Sequence, residues 1–309
     1  MREKVAVIGA GFVGTMTAQR IAEKNLADVV LVDIVDGVPQ GKALDISHAA
    51  SLVEMEAVVH GTNDFSEIRD SRVVVVTAGF PRMPGMSREE LAVKNGKIIQ
   101  SVSSHVREFA PECILLIVTN PLDIMAYLAW KLSGFPARRV LGMGGVLDTA
   151  RYEFLLAREL GVSVRDIDAM VIGSHGDAMI PLVDYSRVRG VPVKSLIPED
   201  RLRKIVERTK NSGAEIVGLL KTGSAFHAPS ASAAAMVEAV LRDSRRFLAA
   251  SVLLEGQYGI RDTFIGAPIR MGAGGVESVH EIDLSPGELK EFRDSAAAIR
   301  KSLDKIFAS

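Results

Sequence analysis

The chain has 309 residues, 37 Lys and Arg against 38 Asp and Glu, and 48% hydrophobic residues; that length holds one large core or two fused ones, and the near-neutral balance offers nucleic acid no basic footprint. A single cysteine, Cys113, excludes a disulfide framework within the chain, and no apolar stretch reaches the ~20 residues that span a membrane. With no leader pattern before the first apolar run, a cytoplasmic protein is expected, with neither nucleic acid nor membrane as partner.

Short β-branched or aliphatic runs occupy residues 5–8, 29–32, 73–77, 114–119 and 140–141, and segments such as 12–24 and 91–109 between them read as crossover helices. This alternation predicts an α/β fold with a Rossmann-type doubly wound parallel sheet, buried on both faces, whose ligands sit at the carboxyl ends of the strands. Cys113 leads into the fourth run and is expected to be a strand residue facing the core.

The first run opens into Gly9-Ala10-Gly11-Phe12-Val13-Gly14, the spacing G-x-G-x-x-G. Gly9 permits a tight turn, Gly11 lets backbone approach a pyrophosphate, and Gly14 lets the next helix pack closely with its amino terminus toward the phosphates. Such a turn can also serve chain geometry alone. The second run, however, ends in Asp33, nineteen residues after Gly14, where a carboxylate accepts from both hydroxyls of an adenosine ribose and repels a 2′-phosphate. A solvated strand-end aspartate is the plain alternative. The neighbours Val32 and Ile34 are not basic, so NAD is expected rather than NADP.

After about Asp148 the texture changes to longer helical patterns mixed with less continuously apolar strands. The chain is therefore divided into residues 1–147, a dinucleotide-binding domain, and 148–309, an α+β catalytic domain. A long helix is predicted over 201–221. Ser285-Pro286-Gly287-Glu288 is a start signal for the last helix, with a cap, a first-turn proline and a capping-box glutamate. Leu289, Phe292, Ala296, Ile299, Leu303 and Ile306 then share one apolar face.

Three segments carry polar chemistry. Asp148 and Arg151 stand three residues apart at the opening of a helix, so they share a face. His175 lies in Gly173-Ser174-His175-Gly176-Asp177, after the strand-like run 169–172. Arg82 and Arg88 bracket a Gly- and Pro-punctuated loop, where solvated loop charges are the plain alternative. With these motifs and with VTNPLD, KTGSAFHAP and GAGGVE, the chain resembles the lactate and malate dehydrogenases over nearly its whole length, most closely those malate dehydrogenases that are of lactate-dehydrogenase-like type.

The resemblance implies an NAD-dependent oxidoreductase of 2-hydroxy acids. His175 is then the acid/base, Asp148 the partner of its second ring nitrogen, Arg151 the fork for the common carboxylate, and Arg88 the electrophile at the ketone oxygen. Arg82, where lactate dehydrogenases usually carry glutamine, matches the second carboxylate of malate or oxaloacetate. Asn120 is implied to contact substrate, although an Asn-Pro step also suits a turn. Asn95, Val118, Thr119 and Asn120 are implied to lie along the cofactor. Met143 with Gly144, where relatives often show a glutamine nearby, and His227, where an aromatic is common, depart from the family pattern and are expected to stand clear of the acid/base pair. No metal is expected. A homo-oligomer is implied, a tetramer before a dimer, with 41–52 and the long helices as apolar interface. An L-lactate dehydrogenase and a non-catalytic NAD-binding sensor are the competing readings.

Overall fold

A computed structural model describes residues 2–81 and 86–308, with positions 88 and 308 by backbone alone. The first half alternates β1 (Lys4–Ile8), α1 (Phe12–Glu23), β2 (Asp28–Val32), α2 (Val38–His48), β3 (Val59–Thr62), β4 (Val73–Val76), α3 (Arg88–Phe109), β5 (Ile114–Ile117), α4 (Leu122–Ser133) and β6 (Val140–Gly142). These strands pair in parallel in the order β3-β2-β1-β4-β5-β6, the doubly wound order that places a crevice beyond the carboxyl ends where the winding reverses. Every residue of β4 and β5 is buried, because helices cover both faces.

The five apolar runs correspond to β1, β2, β4, β5 and β6, while β3 is a strand that the apolar pattern does not reveal. Its sequence, Val-His-Gly-Thr, carries a polar and a flexible residue, and it forms only by adding to β2 in the register Val29↔Val59 to Val32↔Thr62. Cys113 is buried, but it lies one residue before β5, at a bend rather than in the strand.

The second half contains α5 (Gly145–Leu160), β7 (Ile167–Asp168), β8 (Val171–Gly173), β9 (Met179–Pro181), β10 (Arg187–Val188), β11 (Val191–Pro192), α6 (Glu199–Leu220), α7 (His227–Leu241), β12 (Arg246–Glu255), β13 (Arg261–Gly272), β14 (Gly275–Val279) and α8 (Pro286–Ala308). The first sheet does not end at β6. β12 joins it antiparallel at Ser251↔Gly142, β13 pairs along β12, and β8 joins β13 at Gly266↔Gly173. Among the described residues one continuous sheet thus runs through both halves, with one core holding Val5 and Leu303 alike.

A smaller cluster packs α5 and α6 together through Tyr152, Leu156, Leu202 and Ile205. The last helix follows its sequence signal. Ser285 Oγ accepts from the Glu288 N–H at 3.3 Å, the Glu288 carboxylate accepts from the Ser285 N–H at 2.9 Å, and Phe292, Ala296, Ile299 and Leu303 are buried.

Candidate active site

The glycine-rich turn sits at the carboxyl end of β1. A Cβ at Gly14 would stand 1.8 Å from the Gly9 carbonyl oxygen, and one at Gly9, whose φ is +107°, would meet the Ala78 nitrogen at 2.6 Å. Protein packing therefore requires both glycines. Gly11 differs, since a Cβ there would meet nothing within 4 Å. The exposed backbone of Gly11 and Phe12 opens α1, where N–H groups and the helix dipole favour an anion.

Asp33 follows β2 directly and ties this turn to the strand end. Its Oδ2 accepts from the Ala10 N–H at 2.6 Å and its Oδ1 from the Val35 N–H at 3.0 Å, so each oxygen keeps lone-pair capacity for a further donor. Lys42 on α2, a residue the motif reading passed over, donates to the Ala10 carbonyl and lies 5.8 Å from the Phe12 ring centroid. The residues present thus fit a dinucleotide: a tight turn, a helix terminus and a carboxylate at the second strand end.

The loops after β4 and β5 are braced to this turn. Thr119 is buried, and its hydroxyl donates to the Ala78 carbonyl at 2.8 Å. Asn95 on α3 is fully buried. Its amide donates to the Asn120 carbonyl at 2.7 Å and the Phe80 carbonyl at 3.2 Å, and its oxygen accepts from the Phe80 N–H at 2.8 Å. Asn95 therefore brackets the two loops with its side chain, while Val118 is half-buried and Asn120 exposed.

The acid/base candidates come together as expected. Asp148 lies in the first turn of α5 and is buried, and its Oδ2 stands 2.8 Å from His175 Nδ1. Its Oδ1 stands 3.4 Å from Arg151. The loop bearing His175 follows β8, whose Val171 N–H donates to Thr149 at 3.0 Å and so fastens that strand to α5. Burial opposes a charged imidazole, but the Asp148 charge and hydrogen bond, with a contribution from Asp123, outweigh it and hold the His175 pKa above its ordinary value. Asp123, in the first turn of α4, accepts from the His175 backbone N–H at 3.0 Å.

Arg151 is the least satisfied member. Its Nε is buried with no partner among the described residues, and burial draws its pKa below the ordinary arginine value despite Asp148. A buried N–H left without an acceptor in this state is costly unless a further group, beyond Asp148, completes it.

Gly144 was expected to stand clear of the pair but instead backs it. A Cβ there would come within 3.2 Å of the His175 Cβ and 2.8 Å of Leu122, and its carbonyl accepts from the Asp148 N–H. His227 begins α7, beside Phe226, which stacks on Phe12 with centroids 5.2 Å apart. Arg82 lies outside the described residues. Arg88 is the first residue of α3, which begins ahead of the expected 91 because Ser87 caps it.

Comparison with known proteins agrees with this arrangement along the full chain. Residues 3–142 match the lactate/malate dehydrogenase NAD binding domain and residues 145–309 the lactate/malate dehydrogenase alpha/beta C-terminal domain. A malate dehydrogenase of Pelodictyon phaeoclathratiforme is 50% identical over 304 residues, covering 98% of each chain. The solved malate dehydrogenase of Cryptosporidium parvum superposes with a TM-score of 0.98 at 41% identity, covering 100% of both chains. The lactate dehydrogenase of the same organism, solved with lactic acid and NAD, gives 0.97 at 39%, covering 100% of this chain and 99% of its own. A glycine turn with its strand-end aspartate, a buried His–Asp pair and these matches across both halves lead to one conclusion: the chain belongs to the lactate/malate dehydrogenase family.

Proposed function

We propose that this chain catalyses the NAD-dependent, reversible oxidation of (S)-malate to oxaloacetate, a reaction of the tricarboxylic acid cycle, as a cytoplasmic homotetramer rather than a dimer. The observation that carries the reading is the half-buried Arg151 fork, unpartnered at its buried Nε and held beside the His175–Asp148 pair. A sensor that only binds a dinucleotide has no use for that combination. The choice of malate rests on Arg82 and on relatives named malate dehydrogenase at about half identity.

Residues 1–147 hold the dinucleotide and residues 148–309 supply the chemistry. The backbone from Gly9 through Gly14 takes the pyrophosphate, Asp33 the adenosine ribose, and Val118, Thr119 and Asn120 the nicotinamide end, with Asn95 bracing their loop. Bound NAD supplies the hydride acceptor for carbon 2 of malate. Arg151 grips the carboxylate next to that carbon with two parallel hydrogen bonds, Arg82 takes the far carboxylate, Asn120 contacts the substrate, and Arg88 polarises the reacting oxygen. Because Asp148 holds Nδ1, the ring presents Nε2 to the substrate. Neutral His175 removes the hydroxyl proton in oxidation, and the imidazolium returns it to oxaloacetate in reduction.

The lactate reading keeps one specific support, the lactate dehydrogenase that superposes almost equally well. Steady-state reduction of oxaloacetate and pyruvate, each with NADH and NADPH, decides between them. The expected result is a larger kcat/KM for oxaloacetate with NADH, moving toward pyruvate in Arg82→Gln; preference for pyruvate in the unaltered chain would overturn the assignment. His175→Asn is expected to lower turnover by about 10²–10⁴-fold with NADH binding kept.

A further inference from the structure

The groove where α5 meets α6 holds a charge arrangement that neither the dinucleotide turn nor the acid/base pair uses. A cleft of about 510 Å³ opens there, a volume within the range of small-ligand sites. Its floor is Leu155 from α5 and Ile205 from α6, both buried. Around the floor stand four exposed cations, Arg158 from α5 and Arg201, Lys204 and Arg208 from α6. Two of them are paired: Arg201 meets Glu159 at 2.8 Å, and Arg208 meets both oxygens of Glu215 at 2.8 and 3.1 Å. Arg158 and Lys204 have no hydrogen-bond or ion-pair partner among the described residues. Four cations against Glu159 and Glu215 leave an excess of two positive charges in one groove, on a chain whose formal net charge is -1. Local structure gains nothing from this. Arg201, Lys204 and Arg208 recur at spacings of three and four, so they share a face of α6 where like charges repel, and Arg158 adds a fourth from the facing helix.

We propose that this cleft binds a small anion carrying two or more phosphate groups, with Arg158 and Lys204 as its principal contacts. A guanidinium fork matches the oxygens of one phosphate, and an ammonium supplies a point charge to another. Because the two unpartnered cations come from different helices, joined phosphates meet both at once, and the aliphatic floor takes whatever less polar portion bears them. The site is separate from the substrate fork. Arg158 follows Arg151 by seven residues, two turns or about 10 Å farther along α5. On α6 the residue beside Arg151 is Gly213, where a Cβ would stand 3.9 Å from the Arg151 Nη2, whereas Arg201 pairs with Glu159. The two helices therefore run antiparallel, with the fork at one end of their shared groove and the cleft at the other.

Calorimetric titration of the full chain with inorganic tripolyphosphate, in Mg²⁺-free buffer at about 0.15 M ionic strength, tests the site. The titration is run on the chain alone and again with saturating NADH and malate, a pair that cannot react, so that the dinucleotide turn and Arg151 are already occupied. One saturable site per chain is expected under both conditions. Arg158→Glu and Lys204→Glu are each expected to weaken binding by about tenfold or more. Both side chains are exposed and lack internal partners, so the fold survives their replacement, and Arg158→Gln and Lys204→Gln give the same direction without reversing charge. Citrate, a polycarboxylate of similar charge, is expected to bind more weakly than tripolyphosphate. No saturation by about 10 mM tripolyphosphate, binding that disappears when NADH and malate are present, or equal binding in the unaltered chain and both charge reversals would overturn the inference. Citrate binding as tightly as tripolyphosphate would overturn the assignment to phosphate.

Discussion

The carboxylate 2.8 Å from Nδ1 decides at which pH His175 can act. Oxidation needs a neutral ring, so kcat/KM for malate should climb as pH rises through the elevated His175 pKa, and kcat/KM for oxaloacetate should fall over the same interval. The sign for stability follows from linkage. A folded-state pKa above the unfolded one gives a contribution that is complete below the unfolded value and is lost as pH climbs through the folded one. In Asp148→Asn the ring loses its strongest support, and both limbs should move to lower pH. The stability deficit of that variant, read from urea unfolding at several pH values, should be largest below the ordinary histidine pKa and should shrink above the raised one. Limbs that stay in place would show that Asp148 sets orientation alone. Some of this was legible in residue spacing: the three-residue step from Asp148 to Arg151 put both on one helix face, as found. The pairing of Asp148 with His175 spans 27 positions and had no signature beyond the family motifs. Asp123 had none at all, because its bond to the His175 backbone N–H joins positions 52 apart in the chain.

At the level of elements, the start of α3 shows how a local signal serves a distant site. Ser87 Oγ accepts from the Glu90 N–H at 3.0 Å and the Glu90 carboxylate accepts from the Ser87 N–H at 2.8 Å, a reciprocal cap on the helix whose first residue is Arg88. The Ser-x-x-Glu spacing was present in the sequence, yet the apolar periodicity that drew the helix from 91 begins only after it. β3 escaped for the opposite reason, since nothing local in Val-His-Gly-Thr makes a strand without β2 beside it. Removing the cap should therefore have two effects. Ser87→Ala should cost about 1 kcal/mol in denaturant unfolding, and it should raise KM for oxaloacetate because the backbone that carries Arg88 frays. NADH affinity should hold, because the glycine turn and Asp33 are braced elsewhere. A stability loss with unchanged KM would mean that the helix start does not place Arg88.

Over the whole molecule, the alternation of strands and helices revealed the parallel half, but the continuation of its sheet into the second half was not readable. That continuation depends on close antiparallel approaches, each set by a glycine meeting a partner far away in the chain. At Gly142 a Cβ would meet the Ser251 Cβ at 2.9 Å, and at Gly266 it would meet the Gly173 carbonyl oxygen at 2.6 Å. Gly173 leads directly into Ser174 and His175, so the second contact places the acid/base loop, while Gly11 sits at the opposite functional end with nothing for a Cβ to strike. Two single methyl additions should then separate the functions of the two halves. In Gly266→Ala the backbone must shift, at a cost of about 1–3 kcal/mol as for other overpacked sites, and kcat should fall while the NADH dissociation constant holds. In Gly11→Ala unfolding should be nearly unchanged while NADH binding weakens, because the added methyl occupies the approach to the pyrophosphate. Fluorescence titration with NADH, run beside steady-state kinetics and urea unfolding, reads all three quantities on both variants. Equal losses of NADH affinity in the two would show that the continuous sheet couples cofactor binding to the acid/base loop instead of merely carrying both.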